Sequence, residues 1–144
     1  MNIFLNKKIL IYGLGKSGLS AFKFLKKKNN IYLYDDNQSK IKSLKIKKNF
    51  VKYKNVLKIK FDQIILSPGI DINKCKLSNY LKKNYFKINS DLDVFYSFFK
   101  NDCITITGTN GKSTTCQLMY EVLLKQKFDV RLVGNIGNPI LSIK

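Results

Sequence analysis

A chain of 144 residues with 44% hydrophobic content is the size and composition of an ordinary folded domain. It has no apolar run near the roughly 20 residues that cross a bilayer, and its opening MNIFLNKKILIYG lacks the small-residue cleavage site of a secretion signal. The net charge of +18 is almost all lysine, with Arg131 the one arginine and the lysines scattered as at 26–28, 47–48 and 82–83, which argues against nucleic-acid recognition, where arginine forks are favoured.

In chain order, Lys8 to Tyr12 is a continuous apolar run bounded by turn residues, as expected of a buried parallel strand. The glycine-rich GLGKSG follows. Leu19, Phe22 and Leu25 then recur at helical spacing, and Ile31 to Tyr34 reads as a second strand ending on Asp35. SKIKSLKIKK suggests a short helix and FVKYKNVLKI a short strand. Gln63 to Ser67 is a strand broken by Pro68-Gly69; residues 75–83 carry Leu77, Tyr80 and Leu81 at helical spacing; YFKI reads as a further short strand. Ser90 is a good N-cap for a helix through Phe99, with Asp91 and Asp93 in its first turn. Residues 103–107 read as the first strand of a second sheet, Gly111 onward as a helix, and residues 129–133 as the next strand.

Strands alternating with helices make the class α/β with parallel sheets. Two strand–glycine loop–helix starts divide the chain into a Rossmann-like unit, residues 1–89, and the first part of a P-loop ATPase-type unit, residues 90–144. Two strands alone cannot cover both faces of a parallel sheet, so the second unit is expected to be partial.

The chemistry lies in the loops. In GLGKSG, Gly13 permits the tight turn, Gly15 a close phosphate approach and Gly18 close helix–strand packing. The helix start offers free N–H groups to a diphosphate, and Asp35 stands where an acid contacts a ribose or base. In GTNGKST, Gly108 and Gly111 let the backbone curl into an anion nest. Lys112 is placed to reach terminal phosphates and Ser113 to ligate Mg²⁺. Ile106 occupies the position where GxxxxGK[ST] requires glycine, so this is a shorter variant loop. SPGI at Ser67 reads on its own as a Pro-Gly turn after a strand; in GNIGNP, Asn135 either donates to a phosphate or caps a turn. There are no histidines, which excludes His-based triads and His metal sites within the chain. Cys75, Cys103 and Cys116 form no CxxC pair, so neither a disulfide nor a zinc site is expected, and reduced thiols fit a cytoplasmic protein.

In order, GLGKSGLS, YDD, ILSPGI, INSDLDVF, ITGTNGKSTT and GNIGNP resemble the Mur ligase family over essentially the whole chain. GTNGKST is shared across the family and with folylpolyglutamate synthetases; GLGKSG with SPGI is more discriminating. The alanine-adding members usually carry histidine where Asn110 stands. The resemblance implies a monomeric three-domain ligase of peptidoglycan synthesis. It would join D-glutamate to UDP-N-acetylmuramoyl-L-alanine through an acyl phosphate, with ATP and Mg²⁺. It further implies that Leu14, Gly15, Lys16, Ser17, Gly18, Asp35, Ser67, Gly69 and Asn135 hold the UDP precursor. Gly108, Thr109, Asn110, Gly111, Lys112, Ser113 and Thr114 would hold ATP, with Lys112 the catalytic residue and Ser113 the metal ligand. The family's later acid, histidine and modified lysine and its carboxy-terminal domain lie beyond Lys144, so this length alone is expected to be inactive. Two other readings compete. One is a non-catalytic module that binds a nucleoside diphosphate. The other is an NAD-dependent oxidoreductase, which ranks lowest because it leaves residues 108–114 without a task.

Overall fold

The computed structural model describes residues 2–37, 39, 41, 44, 46, 48–134 and 138–143. Four parallel strands form one sheet in the order β2-β1-β3-β4. They are β1 (Lys8–Tyr12), β2 (Asn30–Tyr34), β3 (Gln63–Leu66) and β4 (Ile88–Asn89). Lys8 lies opposite Asn30 and Tyr12 opposite Tyr34 on one side. Ile9 lies opposite Gln63 and Tyr12 opposite Leu66 on the other.

Both faces of β1 are covered, which explains its unbroken apolar run. Alternation sends Ile9 and Ile11 to one face with Ile31, Leu33 and Ile65. Leu10 and Tyr12 go to the other face with Tyr34 and Ile64. On the first face lies α1 (Lys16–Leu25), which buries Ala21, Phe22 and Leu25. The second face is covered by α2 (Tyr53–Val56) and α3 (Ser78–Lys83), through Val56 and Leu81, with Phe61 and Leu77 beside them.

The helix α4 (Asp91–Phe98) starts as its sequence predicts. Ser90 Oγ accepts from the Asp93 N–H, and the Asp93 carboxylate accepts from the Ser90 N–H at 2.7 Å, a reciprocal capping box. Val94 and Phe95 bury against the α1 face of the first sheet. Phe98 meets Phe24 edge-on with ring centroids 5.1 Å apart. A 3₁₀ turn, Ile140–Ser142, inserts Ile140 and Leu141 into the same core. Two elements that follow residue 89 thus lie on the first sheet.

Elsewhere the expectations need correction. Residues 50–59 hold the single helical turn α2 and one bridge from Phe50 to Leu33 in place of a strand of their own. The helix expected in SKIKSLKIKK falls mostly outside the described residues. The strand expected at 103–107 is not formed: the segment is largely exposed and pairs with no described neighbour. At 129–133 there is only an isolated bridge between Val133 and Asn138. Between these segments α5 (Lys112–Lys125) forms as predicted, yet buries none of its residues. A β-branched run becomes a strand through its neighbours, and among the described residues neither segment has a neighbouring strand.

Candidate functional site

The chain passes from β1 to β2 on one side, then returns to place β3 on the other. Between β1 and β3 is therefore a topological switch point, where open α/β sheets leave a crevice beyond their carboxyl ends. A cleft of about 330 Å³ lies there. Gly13, Leu14, Gly15, Lys16 and Ser17 come to it from the first loop, Asp35 from the end of β2, and Ser67, Pro68, Gly69 and Ile70 from the end of β3. Gly134 and Pro139 close another side.

The glycine loop is shaped by the sheet around it. Gly13 has φ +93°, and a Cβ there would stand 2.7 Å from that of Ser67. The Ser67 hydroxyl donates to the Gly13 carbonyl at 2.7 Å. A Cβ at Gly18 would lie 1.9 Å from the same carbonyl, so only glycine lets α1 approach β1 this closely. Gly15 differs: its φ is −74° and a Cβ would meet nothing within 4 Å. Neither conformation nor packing demands glycine there, and the open space is the cleft. Gly15 is also the N-cap of α1 and supplies no capping side chain. The first-turn N–H groups thus face the cleft side without an internal cap, the arrangement that receives an anion.

Asp35 is only 7% exposed. Its carboxylate accepts from the Leu14 N–H at 2.7 Å and from the Asn37 N–H at 2.8 Å. The acid at the cleft therefore also fixes the loop beside it. Two backbone bonds leave lone pairs on a carboxylate that can accept about four, so it retains capacity for a donor group of a ligand. Next to it, Asp36 accepts from the Tyr12 hydroxyl at 2.6 Å and the Lys76 N–H at 3.2 Å. Burial pushes the Tyr34 phenol up to about 12, helped by the Asp36 charge. Tyr12 is raised in the same direction by burial and then by its hydrogen bond to Asp36. Tyr12 and Asp36 escape a reading of the sequence as site neighbours, although YDD places Asp36 beside Asp35.

Residues 7–88 match the family model described as Mur ligase MurD-like, N-terminal domain. That is more than half of the chain. The chain belongs to the MurD-like Mur ligases. It is 35% identical over its whole length to the UDP-N-acetylmuramoylalanine–D-glutamate ligase of Rickettsia bellii (strain RML369-C), covering 33% of that protein. It is 36% identical to the Rickettsia prowazekii (strain Madrid E) ligase of the same name, with the same coverage. With the Aquifex aeolicus (strain VF5) ligase the identity is 38% over 94% of this chain and 30% of the relative. The chain spans about a third of the length of these relatives.

Set against the Mur ligase expectations, Leu14, Gly15, Lys16, Ser17, Asp35, Ser67 and Gly69 meet in one cleft. Gly18 sits behind them as the packing glycine. Asn135 lies outside the described residues; its neighbour Gly134 lines the cleft. Ile70 and Pro139 were not expected there. The sequence signal for them was their place in SPGI and GNIGNP, each a break after an apolar run.

The second loop stands apart from this cleft. Gly108 (φ +149°) and Gly111 (φ +74°) bend it, and Gly111 caps α5 without a side chain. The Lys112 amine donates to the carbonyls of Gly108 and Thr109. Thr115 returns to the Gly111 carbonyl at 3.0 Å. Asn110, Ser113 and Thr114 are exposed. An uncapped helix start, one amine and adjacent hydroxyls form a donor set that fits a polyphosphate. For a Mg²⁺ ion, Ser113 would supply one hydroxyl oxygen, and no cluster of three or more His, Cys, Asp or Glu occurs among the described residues. A single protein oxygen suits a Mg²⁺ ion held chiefly by phosphates and water. No described helix is long and apolar enough to cross a membrane.

Proposed function

We propose that the cleft binds the uridine-diphosphate part of UDP-N-acetylmuramoyl-L-alanine, within a ligase that adds D-glutamate to it at the expense of ATP. The observation that carries this reading is Gly15. It has no conformational or packing reason to be glycine, and it sits at an uncapped helix start between Asp35 and Ser67. A diphosphate takes the space that a side chain would fill, and the helix dipole favours its charge. Asp35 accepts from a ribose hydroxyl or a base N–H. Lys16, exposed at the mouth, adds positive charge.

In this reading residues 1–89 carry most of the UDP site, with Gly134 and Pro139 closing one side, and residues 90–144 open the ATP part. Gly108, Thr109, Asn110, Gly111, Lys112, Ser113 and Thr114 take the triphosphate. Lys112 exchanges its loop carbonyls for phosphate oxygens, and Ser113 ligates Mg²⁺. The overall reaction transfers a phosphoryl group to the substrate carboxylate. The D-glutamate amine then displaces phosphate from the acyl phosphate to leave an amide. Support comes from relatives named for this activity. The chain matches about a third of their length, so the proposed turnover belongs to a longer protein that acts as a soluble, cytoplasmic monomer.

Calorimetry tests the reading. UDP gives saturable heat with the chain, ATP with Mg²⁺ gives a second and independent heat, and Lys112→Ala removes only the second. The chain with all three substrates gives no amide product. Absence of heat with UDP, or tighter binding of NADH than of UDP, overturns the cleft assignment. The separation of the second loop from the cleft favours one further reading, a diphosphate-binding module without catalysis. Heat with UDP and none with ATP selects it.

A further inference from the structure

Gly134 and Pro139 face a glycine loop more than a hundred residues earlier in the chain. Little in their own surroundings holds them there. Val133 and Asn138 make one isolated bridge, and the Gly134 N–H donates to the Asn138 carbonyl at 3.2 Å. The support comes from the next turn. Ser142 donates to the Pro139 carbonyl through its N–H at 2.9 Å and its hydroxyl at 2.7 Å, which fixes Pro139 to the 3₁₀ turn. Within that turn Ile140 and Leu141 are each 6% exposed and share a core with Phe22 of α1 and Phe95 of α4. They are the only buried positions among the described residues after Phe95.

We propose that Ile140 and Leu141 are positioning residues for the cleft: by locking into the core beside α1 they hold Gly134 and Pro139 against the glycine loop. This rests on the UDP reading of the cleft for its binding consequence, although the anchoring itself does not need it. The helix α1 carries the glycine loop at its start and packs against Ile140–Ser142 along its side. Loop and wall therefore share one support. Without the anchor, the cleft keeps its phosphate-binding floor but is closed on that side in only a fraction of molecules. Apparent affinity falls by that fraction.

The experiment compares Leu141→Ala with Leu25→Ala in the chain. Leu25 belongs to the same core but ends α1, about 15 Å from the glycine loop at 1.5 Å per residue. Both are measured at a temperature where circular dichroism shows them folded. Leu141→Ala is expected to weaken UDP binding on the order of tenfold, as a competent fraction of about one tenth dictates. Leu25→Ala leaves the affinity unchanged, and Leu141→Met restores it, because the swap conserves volume. Where Leu141→Ala does not fold, Leu141→Val and Ile140→Val are read in its place, each with a smaller loss in the same direction. Amide exchange at Gly134 gives a second readout that needs no ligand, and it accelerates in Leu141→Ala and not in Leu25→Ala. Equal UDP affinity and equal Gly134 exchange in the two variants overturn the proposal. Faster Gly134 exchange in a chain that does not bind UDP upholds the anchor and removes the assignment of the cleft instead.

Discussion

The two glycine loops begin alike and end differently. Each contains a glycine in the left-handed region, Gly13 at +93° and Gly111 at +74°, and each feeds an uncapped helix start. The first is gripped from outside by Ser67, just past the end of β3, and by Asp35 at the end of β2. The hydrogen bonds of the second run within itself, from Lys112 to Gly108 and Thr109 and from Thr115 to Gly111. The difference teaches that a glycine pattern grants a loop permission to curl, while neighbouring strands decide its shape. A preformed glycine loop is thus a property of the sheet edge as much as of the motif.

Gly18→Ala breaks the comparison most sharply. The new Cβ would lie 1.9 Å from the Gly13 carbonyl, a backbone atom that cannot step aside without moving β1 or α1. Overpacking of this kind is expected to cost roughly 3 kcal/mol or more, and UDP binding is lost with it. Gly111→Ala meets nothing within 4 Å. Its left-handed φ costs roughly 1–2 kcal/mol, confined to the start of α5, so the main unfolding transition stays in place. Urea denaturation of both variants reads the contrast, and equal shifts in midpoint would show that the second loop is as integral as the first.

Next in size is Asp35→Ala. It strips the acceptor from the buried N–H of Leu14 and from the N–H of Asn37. Hydrogen bonds to a charged group are worth roughly 1.5–3 kcal/mol each. Asp35→Asn keeps one acceptor oxygen and should fall between the parent and Asp35→Ala in denaturant midpoint. If Asp35→Ala weakens UDP binding with no loss of stability, its carboxylate serves the ligand alone and the loop holds its shape without it.

The same contrast explains what the sequence revealed. β1, α1, β2 and β3 were legible because continuous apolar runs and a GxGxxG turn are local signals of a doubly covered parallel sheet. Ser90 as a cap was legible for the same reason. Where α4 packs was not, since Val94 and Phe95 declare an apolar face and not the sheet it meets. Residues 103–107 failed as a strand because propensity without a paired neighbour does not make one. Residues 50–59 failed because Val56, the buried anchor of a single helical turn, sits in a run that is equally compatible with alternation. In the site, the place of Asp35 at the end of β2 was legible and the structure puts it in the cleft, but its bond to Leu14 was not. That bond depends on β1 and β2 being adjacent, and 21 residues separate its partners.

A smaller effect, specific to β1 and β2, appears at high pH. The Tyr34 phenol is held protonated up to about 12 against an ordinary 10, and Tyr12 shifts the same way. A raised folded value means that the folded chain keeps its proton where the unfolded chain releases it. The stabilisation is complete below pH 10, and it is lost progressively from 10 to about 12. Denaturant midpoints measured through this window should fall, and fall less in Tyr34→Phe. An equal decline in that variant would assign the alkaline loss to other groups.

The smallest expected effect is the most exacting test of the comparison. Leu118 lies on α5 and is 58% exposed, whereas Leu25 on α1 is 2% exposed. Leu25→Ala removes core contacts and should cost about 2–5 kcal/mol. Leu118→Ala removes none, and surface changes of this kind stay within about 0.5 kcal/mol. Amide exchange extends the same argument along each helix. A helix of 14 residues is marginal in water without tertiary support, so the amides of α5 should exchange by local opening. Those of α1 should need the sheet to unfold. If Leu118→Ala shifts the denaturant midpoint as far as Leu25→Ala does, α5 is packed in solution. Its loop would then have an external support that these contacts do not provide, and the distinction between a gripped loop and a self-held one would fall.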